Sequence, residues 1–322
     1  MNILLIGATG QIGYTLTLAL SSTDHQISIL VRDRHKLPFP SSVRVIEQPE
    51  FNRPTFIEAL SGMNHVIYGV GLPEQFFHDD TIFERLNYRM LETFLDVFKD
   101  HGPKEITYIS TYEVFGDADG LIRESHPIAD EAHMTPYFAA MTSAYRMAIE
   151  FSNQYGINLG TIHPAAVYGG LATGYGFTNF IEDLLSRKFW RNPTIIDGKF
   201  PLVHVDSLAD GIIKSIGQPG AFIISDQMTS LKEIAITLRK HAPSYIPLTV
   251  PLGMVKAVVP LMEATARMTN TRPVISSVQI DFLTKGQEPK ADKAVAELGW
   301  NPMPLDDGIQ KYLTDRKSIY GQ

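Results

Sequence analysis

The first thirteen residues restrict the fold of this chain more than any other stretch does. The apolar run 3–6 is typical of a buried parallel strand, and three glycines spaced Gly-x-x-Gly-x-x-Gly follow it: Gly7, Gly10 and Gly13. Gly7 permits a sharp turn, Gly10 lets the backbone approach a diphosphate, and Gly13 packs the next helix onto the strand. Because a helix N-terminus directs free N–H groups at an anion, this stretch predicts a dinucleotide site that needs no charged side chain.

The composition is that of an ordinary globular protein. Of the 322 residues, 44% are hydrophobic and 20% are charged, which argues against a disordered, collagenous or coiled-coil chain. The formal net charge of −7 gives no general attraction to nucleic acid or to an anionic membrane, so we expect neither as a partner. The absence of cysteine excludes disulfides and thiolate chemistry. With no secretory leader pattern and no apolar run of about 18 residues, the sequence predicts a soluble cytoplasmic protein.

A basic segment follows the second predicted strand, 27–31. In folds that select NAD, an acidic residue about 20 positions past the glycines binds the ribose 2′-OH. Arg32 stands at that place here, and its guanidinium, with Arg34 and Lys36 nearby, suits the 2′-phosphate of NADP. A solvated basic loop is the plainer interpretation, and Asp33 keeps NAD open as the cofactor.

Strand-like and helical stretches alternate along the chain. Further strands are predicted at 43–46, 66–70 and 106–110, with helical periodicity at 83–98 and a helix that begins at Thr135-Pro136. This order predicts an α/β fold with a Rossmann-type doubly wound parallel sheet, and ligands bind at the carboxyl ends of such strands. We expect a dinucleotide-binding domain at 1–169, with returning strands near 200–225. A smaller C-terminal substrate lobe would comprise 170–200 and 226–315.

Ordered motifs along nearly the whole chain resemble those of extended short-chain dehydrogenases/reductases in the NAD-dependent epimerase/dehydratase family. The closest patterns are those of bacterial dihydroflavonol-reductase-like members. Besides the glycines, the matching positions are Asn87, Thr111 before Tyr112-Glu113-Val114-Phe115-Gly116, Pro136-Tyr137, the segment 163–169, Val203-His204-Val205-Asp206 and Leu298-Gly299-Trp300-Asn301-Pro302.

The resemblance implies hydride transfer to or from a small-molecule substrate, and it suggests a homodimer. The implied catalytic positions are Asn87, Thr111, Tyr137 and Met141. The expected cofactor contacts are Gly7, Thr9, Gly10, Gln11, Ile12, Gly13, Arg32, Arg34, Gly69, Val70, Gly71, His163 and Pro164. The expected substrate contacts are Leu72, Tyr112, Glu113, Tyr168 and Phe177.

Met141 departs from the family pattern, because a lysine normally follows the tyrosine by four residues. That lysine binds the nicotinamide ribose and lowers the pKa of the tyrosine. Arg146 does not replace it, since nine residues at about 100° each bring it to the opposite helix face from Tyr137. A protonated phenol can still donate to a carbonyl that receives hydride, but it is a poor base. The loss therefore handicaps alcohol oxidation more than carbonyl reduction.

The substrate end also departs from nucleotide-sugar enzymes. Their two arginines are replaced by His163 and by the apolar stretch 200–202, which removes the expected clamps on a diphosphate. Aromatic residues are frequent instead. We expect about two in three of them in the core and the rest in an apolar pocket: Phe76, Phe77, Tyr112, Phe115, Phe138, Tyr175, Phe177, Phe180 and Trp190.

Three functions are compatible with these residues. The first is an NADPH-dependent reductase of a small or hydrophobic ketone or aldehyde, with Tyr137 as proton donor. The alternatives are a nucleotide-sugar epimerase or dehydratase, and a catalytically weakened NADP(H)-binding sensor or scaffold. No metal site is expected, because His78, His163 and His204 lack metal-ligand spacing. The apolar run 247–262 is interpreted as a lid or lobe helix rather than a membrane anchor.

Overall fold

The computed structural model of the protein describes residues 1–73, 79–117, 120–130, 135–171, 177–185, 193–195, 198–242, 248–269, 271 and 276–320. The expectations for Phe76, Phe77, His78, Tyr175 and Trp190 fall outside these ranges.

A seven-stranded sheet forms the centre of the molecule. The strands of the molecule are β1 Asn2–Ile6, β2 Gln26–Val31, β3 Arg44–Glu47, β4 His65–Tyr68, β5 Glu105–Ile109, β6 Leu121–Ile122, β7 Asn158–Pro164, β8 Ala166–Tyr168, β9 Pro193–Ile195, β10 Phe200–His204, β11 Gly220–Ile224, β12 Gln227–Thr229, β13 Leu248–Val250 and β14 Glu288–Pro289. The order of the central sheet is β3-β2-β1-β4-β5-β7-β11, and every neighbouring pair is parallel. The predicted doubly wound parallel sheet is confirmed, and the five predicted strands before residue 120 occur within two residues of their expected bounds.

Helices cover both faces of this sheet. The helices are α1 Gln11–Leu20, α2 Arg53–Leu60, α3 Thr81–Phe83, α4 Met90–His101, α5 Pro136–Tyr155, α6 Phe177–Leu185, α7 Val205–Lys214, α8 Leu231–His241, α9 Leu252–Thr269, α10 Ser277–Thr284, α11 Asp292–Leu298 and α12 Leu305–Tyr320. Helices α2, α4 and α5 share one buried core with the sheet, and α1, α7 and α11 share the other. Because β2 and β4 lie on opposite sides of β1, the strand order reverses there, and a crevice opens at the carboxyl ends.

A third core builds the lobe from α6, α8, α9, α10 and α12. The lobe also contains a separate sheet of order β12-β10-β8. Of the two strands expected to return to the dinucleotide-binding domain, the one near Val203 does not join the central sheet: β10 pairs with β12 and with β8, which leaves that sheet after β7. The other, β11, is the edge strand of the central sheet beside β7.

No helix in the described ranges is both long and apolar enough to cross a membrane.

Two side chains cover the open edge of β11. The Glu124 carboxylate accepts a hydrogen bond from the backbone N–H of Ile223 (2.8 Å), and the Lys293 ammonium donates to the carbonyl of Ala221 (3.0 Å). Unpaired edge groups otherwise invite pairing with another chain. Burial raises the pKa of the Glu124 carboxyl. Glu124 therefore has a structural role that its place in an acidic, loop-like stretch of the sequence does not indicate.

We expect Glu124→Ala to lower the free energy of unfolding by about 1–3 kcal/mol, because it leaves the N–H of buried Ile223 without its partner. Asp292→Ala is the matched control. It removes a nearby carboxylate whose ion pair with Arg123 is solvent-exposed, so its cost should stay below about 1 kcal/mol. Urea denaturation measures both, and equal losses would contradict the edge role.

Candidate active site

A cleft of about 1190 Å³ lies at the carboxyl ends of the central strands and extends to the lobe. Most of the residues singled out from the sequence line it: Gly7, Thr9, Gly10, Gln11, Ile12, Gly13, Arg32, Gly69, Val70, Gly71, Leu72, Thr111, Tyr112, Glu113, Tyr137, Met141, Pro164 and Phe177. Arg34, Asn87, His163 and Tyr168 do not line it. Predicted site residues from several separate segments between 7 and 177 thus meet in one cavity.

The three glycines of the first loop have different structural roles. A Cβ on Gly7 would lie 2.5 Å from the carbonyl oxygen of Gly69, and Gly7 has a φ of +103°. A Cβ on Gly13 would lie 2.2 Å from the carbonyl oxygen of Gly7. The fold itself therefore requires Gly7 and Gly13. A Cβ on Gly10 would meet only Gly7 O, at an ordinary 3.5 Å, so the free space beside Gly10 in the cleft fits a diphosphate.

The basic segment after β2 divides between the cleft and the surface. Arg32 and Lys36 line the cleft. Arg34 turns away, with its Nε 3.7 Å from the Glu47 carboxylate. The carboxylate of Asp33 accepts the backbone N–H of His35 (2.8 Å), which occupies it in a local turn. Asp33, the acidic residue that would favour NAD, is thus hydrogen-bonded within its own loop, whereas Arg32 and Lys36 of the same segment face the cleft.

Asn87 lies behind the cleft wall rather than in it. The helix predicted for 83–98 is interrupted by a π-helical segment, Glu84–Arg89, which contains Asn87. The buried amide of Asn87 accepts the N–H of Leu72 (2.7 Å) and donates to the carbonyl of Leu72 (3.0 Å). Asn87 therefore holds the loop after β4, and Leu72 is the residue of this pair that reaches the cleft. The π-segment has no sequence signal that we recognise.

Tyr137 and Met141 lie one turn apart on the cleft face of α5. The helix begins as predicted: the Thr135 hydroxyl accepts the N–H of Phe138 (3.4 Å), and Pro136 occupies the first turn. Arg146 faces away from the cleft and donates to the carbonyl of Ala129 (3.0 Å). Arg146 therefore lies on the face opposite Tyr137, as helical periodicity predicts, and it does not take the position of the missing lysine.

His163 supports Thr111 from behind. Its Nδ1 lies 2.9 Å from the carbonyl oxygen of Thr111, and its Nε2 lies 2.8 Å from the Thr161 hydroxyl. Because a carbonyl oxygen only accepts, Nδ1 carries the proton. Burial lowers the pKa of His163 to about 3, so the ring is neutral near pH 7. This placement corrects the expectation of a direct cofactor contact: His163 is buried, and it fixes the backbone of a residue that lines the cleft.

Tyr168 is also removed from the cleft. Its ring is buried in the lobe core and packs edge-on against His204, with centroids 5.0 Å apart. The expectation that Tyr168 contacts substrate does not fit this position. Its neighbours come from β10 and from Gly308 in the first turn of α12, so only long-range packing decides that it points inward.

The lobe supplies a wall of the cleft that no sequence motif indicates. Glu263 and Arg267, one turn apart on α9, line the cleft together with the first turn of α10. The Glu263 carboxylate accepts both the N–H (2.7 Å) and the hydroxyl (3.0 Å) of Ser277, which ties α9 to α10. Arg267 is the only lysine or arginine that the described residues place at this end of the cleft. The signal in the sequence is an i, i+4 charged pair in a mainly apolar helix whose one other charged residue is Lys256.

Comparisons with known proteins agree with this architecture. A family model described as NAD dependent epimerase/dehydratase family matches residues 3–224. The crystal structure of gox2253 is similar with a TM-score of 0.81, 18% identity and coverage of 99% of this chain and 98% of that one. Thermus thermophilus UDP-glucose 4-epimerase in complex with NAD is similar with a TM-score of 0.76 and 15% identity, and the match covers 98% of each chain. Bacillus cereus UDP-glucuronic acid 4-epimerase in complex with NAD is similar with a TM-score of 0.74 and 16% identity, and the match covers 99% of this chain and 100% of that one. A comparison with curated protein sequences finds no significant match.

The different roles of the glycines predict different outcomes of substitution. Gly10→Val should leave the protein folded and abolish dinucleotide binding, because the side chain would occupy the free space in the cleft. Gly13→Ala should instead destabilise the fold, because its Cβ would overlap the backbone of Gly7. Circular dichroism melts and calorimetric titration with NADPH check both. A folded Gly10→Val variant that still binds NADPH would contradict the cofactor position.

Proposed function

The chain belongs to the NAD-dependent epimerase/dehydratase family, and on that premise we propose that it transfers hydride between a nicotinamide dinucleotide and a small-molecule substrate. The observation that carries the proposal is one cleft that unites the Gly10 loop with Thr111 and Tyr137. The bound cofactor supplies or accepts the hydride. The N-terminus of α1 holds the diphosphate, and Thr111 and Tyr137 hold the reacting oxygen of the substrate.

NADP(H) is the cofactor that the basic segment supports. Arg32 and Lys36 line the cleft near the carboxyl end of β2, where the adenosine ribose lies in this fold. Their charges suit a 2′-phosphate, whereas the carboxylate of Asp33 is occupied by its own turn. The similar epimerases carry NAD, so a preference for NADP(H) rests on this chain's own residues.

We expect NADPH to bind more tightly than NADH, and Arg32→Asp to lower NADPH affinity about 10- to 100-fold, the usual effect of losing one charge-assisted hydrogen bond. Arg34→Asp is the matched control, because it removes a cation of the same segment that faces Glu47 rather than the cleft. Calorimetric titration of the three proteins with both cofactors measures this. Equal affinities of the native protein for NADPH and NADH would remove Arg32 from the site.

The chemistry of the site favours reduction. Tyr137 lines the cleft beside Met141, and of the described lysines and arginines only Arg32, Lys36 and Arg267 line it. No cation therefore lies one turn along α5 to stabilise a phenolate at Tyr137. The phenol can donate its proton to a carbonyl oxygen as hydride arrives at the carbon. A ketone or aldehyde reductase is the reaction that these residues support.

A nucleotide-sugar epimerase or dehydratase is the second candidate, and the comparisons favour it over the reductase. Two of the similar structures described above are UDP-sugar 4-epimerases, and another, MoeE5, is in complex with UDP-glucuronic acid and NAD. Arg267 adds a specific observation. Arg267 places a guanidinium at the substrate end of the cleft, and a guanidinium binds a diphosphate well. The two arginines that bind the diphosphate in nucleotide-sugar enzymes are replaced in this sequence. An epimerase must oxidise its substrate first, however, and Met141 handicaps that step.

Met141→Lys separates the two reactions. If the protein is a reductase, native enzyme should reduce carbonyl compounds with NADPH near pH 7 and oxidise alcohols slowly, faster at high pH. Met141→Lys should then speed oxidation and shift its pH profile downward, because a nearby cation stabilises the phenolate. Tyr137→Phe should slow the chemical step about 10²- to 10⁴-fold. Initial rates across pH 6–10 measure these effects.

Met147→Lys is the matched control, since it adds the same charge to α5 at a residue that does not line the cleft. Rapid 4-epimerisation of UDP-glucose or UDP-glucuronic acid by the native protein would select the second candidate. An inert native protein that gains activity with Met141→Lys would indicate a cofactor-binding sensor or scaffold.

A further inference from the structure

Three residues form a closed hydrogen-bonded ring between the glycine loop and the lobe. Gln11, the first residue of α1, donates from Nε2 to the carbonyl of Gly169 (2.8 Å) and to the hydroxyl of Thr178 (2.6 Å). The N–H of Gly169 donates to the same Thr178 hydroxyl (3.1 Å). Thr178 is completely buried in the first turn of α6. The side chain of Gln11 thus connects the predicted diphosphate site to a helix of the lobe.

The turn that receives this side chain has little freedom to move. Gly169 and Gly170 both have positive φ, +90° and +82°. A Cβ on Gly169 would lie 2.4 Å from Nε2 of His204, and one on Gly170 would lie 2.9 Å from Cγ1 of Val205. The backbone is therefore packed directly against the end of β10 and the start of α7. The hydrogen bond from Gln11 to the carbonyl of Gly169 therefore ends on a backbone turn that packing holds in place.

Helix α6 carries part of the substrate wall. Phe177, Asn179 and Phe180 line the cleft, and buried Thr178 lies between them in the chain. The Phe177 ring packs against Phe180 and against Phe200 of β10, with both centroid separations at 5.2 Å. A displacement of Thr178 would therefore move aromatic groups on the wall. We call Phe177, Asn179 and Phe180 the α6 wall.

We propose that Gln11 is a positioning residue that couples dinucleotide binding at the glycine loop to the placement of the α6 wall. The proposal rests on the proposed function, because it requires a dinucleotide at the loop. Both hydrogens of the Gln11 amide are donated to Gly169 and Thr178, so the side chain has none left to donate to the cofactor. A dinucleotide that orders the first turn of α1 therefore orders α6 through the ring. Coupling of this kind is reciprocal, so cofactor and substrate strengthen each other's binding.

Thr178 offers a clean test, because it does not line the cleft and cannot touch the cofactor. Thr178→Val removes the hydroxyl from the ring, and we expect NADPH affinity to fall about 3- to 10-fold. Thr178→Ser keeps the hydroxyl and should keep the affinity. Gln11→Leu should match Thr178→Val, and the double variant should cost no more than the larger single effect, because both remove the same contact. Thr107→Val is the matched control: that buried hydroxyl binds His65 (2.9 Å), outside the cleft lining.

Hydrogen exchange followed by mass spectrometry distinguishes coupling from a merely structural role. In the native protein NADPH should slow exchange at both 8–13 and 177–185. In Thr178→Val the protection at 8–13 should persist and the protection at 177–185 should be lost. Unchanged NADPH affinity and unchanged protection of α6 in Thr178→Val and Gln11→Leu would overturn the coupling alone. If the native protein binds neither NADPH nor NADH, the proposed function fails, and the coupling fails with it.

Discussion

Backbone packed directly against backbone at the end of β1 is the constraint on which the rest of the site depends. The positions where Cβ atoms of Gly7 and Gly13 would lie are already filled by Gly69 and by Gly7 itself. Strands β1 and β4 therefore end side by side, and α1 begins directly above them. That arrangement leaves the N-terminus of α1 open toward the cleft beside Gly10. Any larger residue at Gly7 or Gly13 would separate the elements whose ends form the site.

Patterns of neighbouring residues predicted the central sheet and the start of α5, because interactions between residues close in sequence determine both. The apolar runs and the glycines predicted the central sheet, since a buried parallel strand must be apolar along its length. The periodicity of α5 predicted that Arg146 lies on the face opposite Tyr137, and Tyr137 lines the cleft whereas Arg146 does not. The turn chemistry of Thr135 and Pro136 predicted where that helix begins.

Long-range packing decided what the sequence did not predict. Tyr168 and His163 follow motif positions, yet both side chains turn into cores whose other members come from distant segments. Strand β10 joins β8 because β8 has already left the main sheet. The α9 and α10 wall around Arg267 combines residues that follow the glycine loop by about 250 positions or more, so no local spacing could indicate it.

The family membership fixes the fold and the class of cofactor, whereas the choice of substrate depends on the residues of the site. Similar structures at 15–18% identity share the fold, and a shared fold leaves the substrate open. Met141 favours reduction, while Arg267 gives the lobe end of the cleft a cation of the kind that binds the diphosphate of a nucleotide sugar. Both candidates require the same central claim, that a dinucleotide lies across the carboxyl ends of the strands from β2 to the start of α5.

A crystal structure of the protein with NADPH tests that claim most directly. We expect the diphosphate over Gly10 at the N-terminus of α1, the 2′-phosphate between Arg32 and Lys36, and the nicotinamide beside Thr111 and Tyr137. A nucleotide bound outside the cleft, or one whose nicotinamide lies at Arg32, would contradict it.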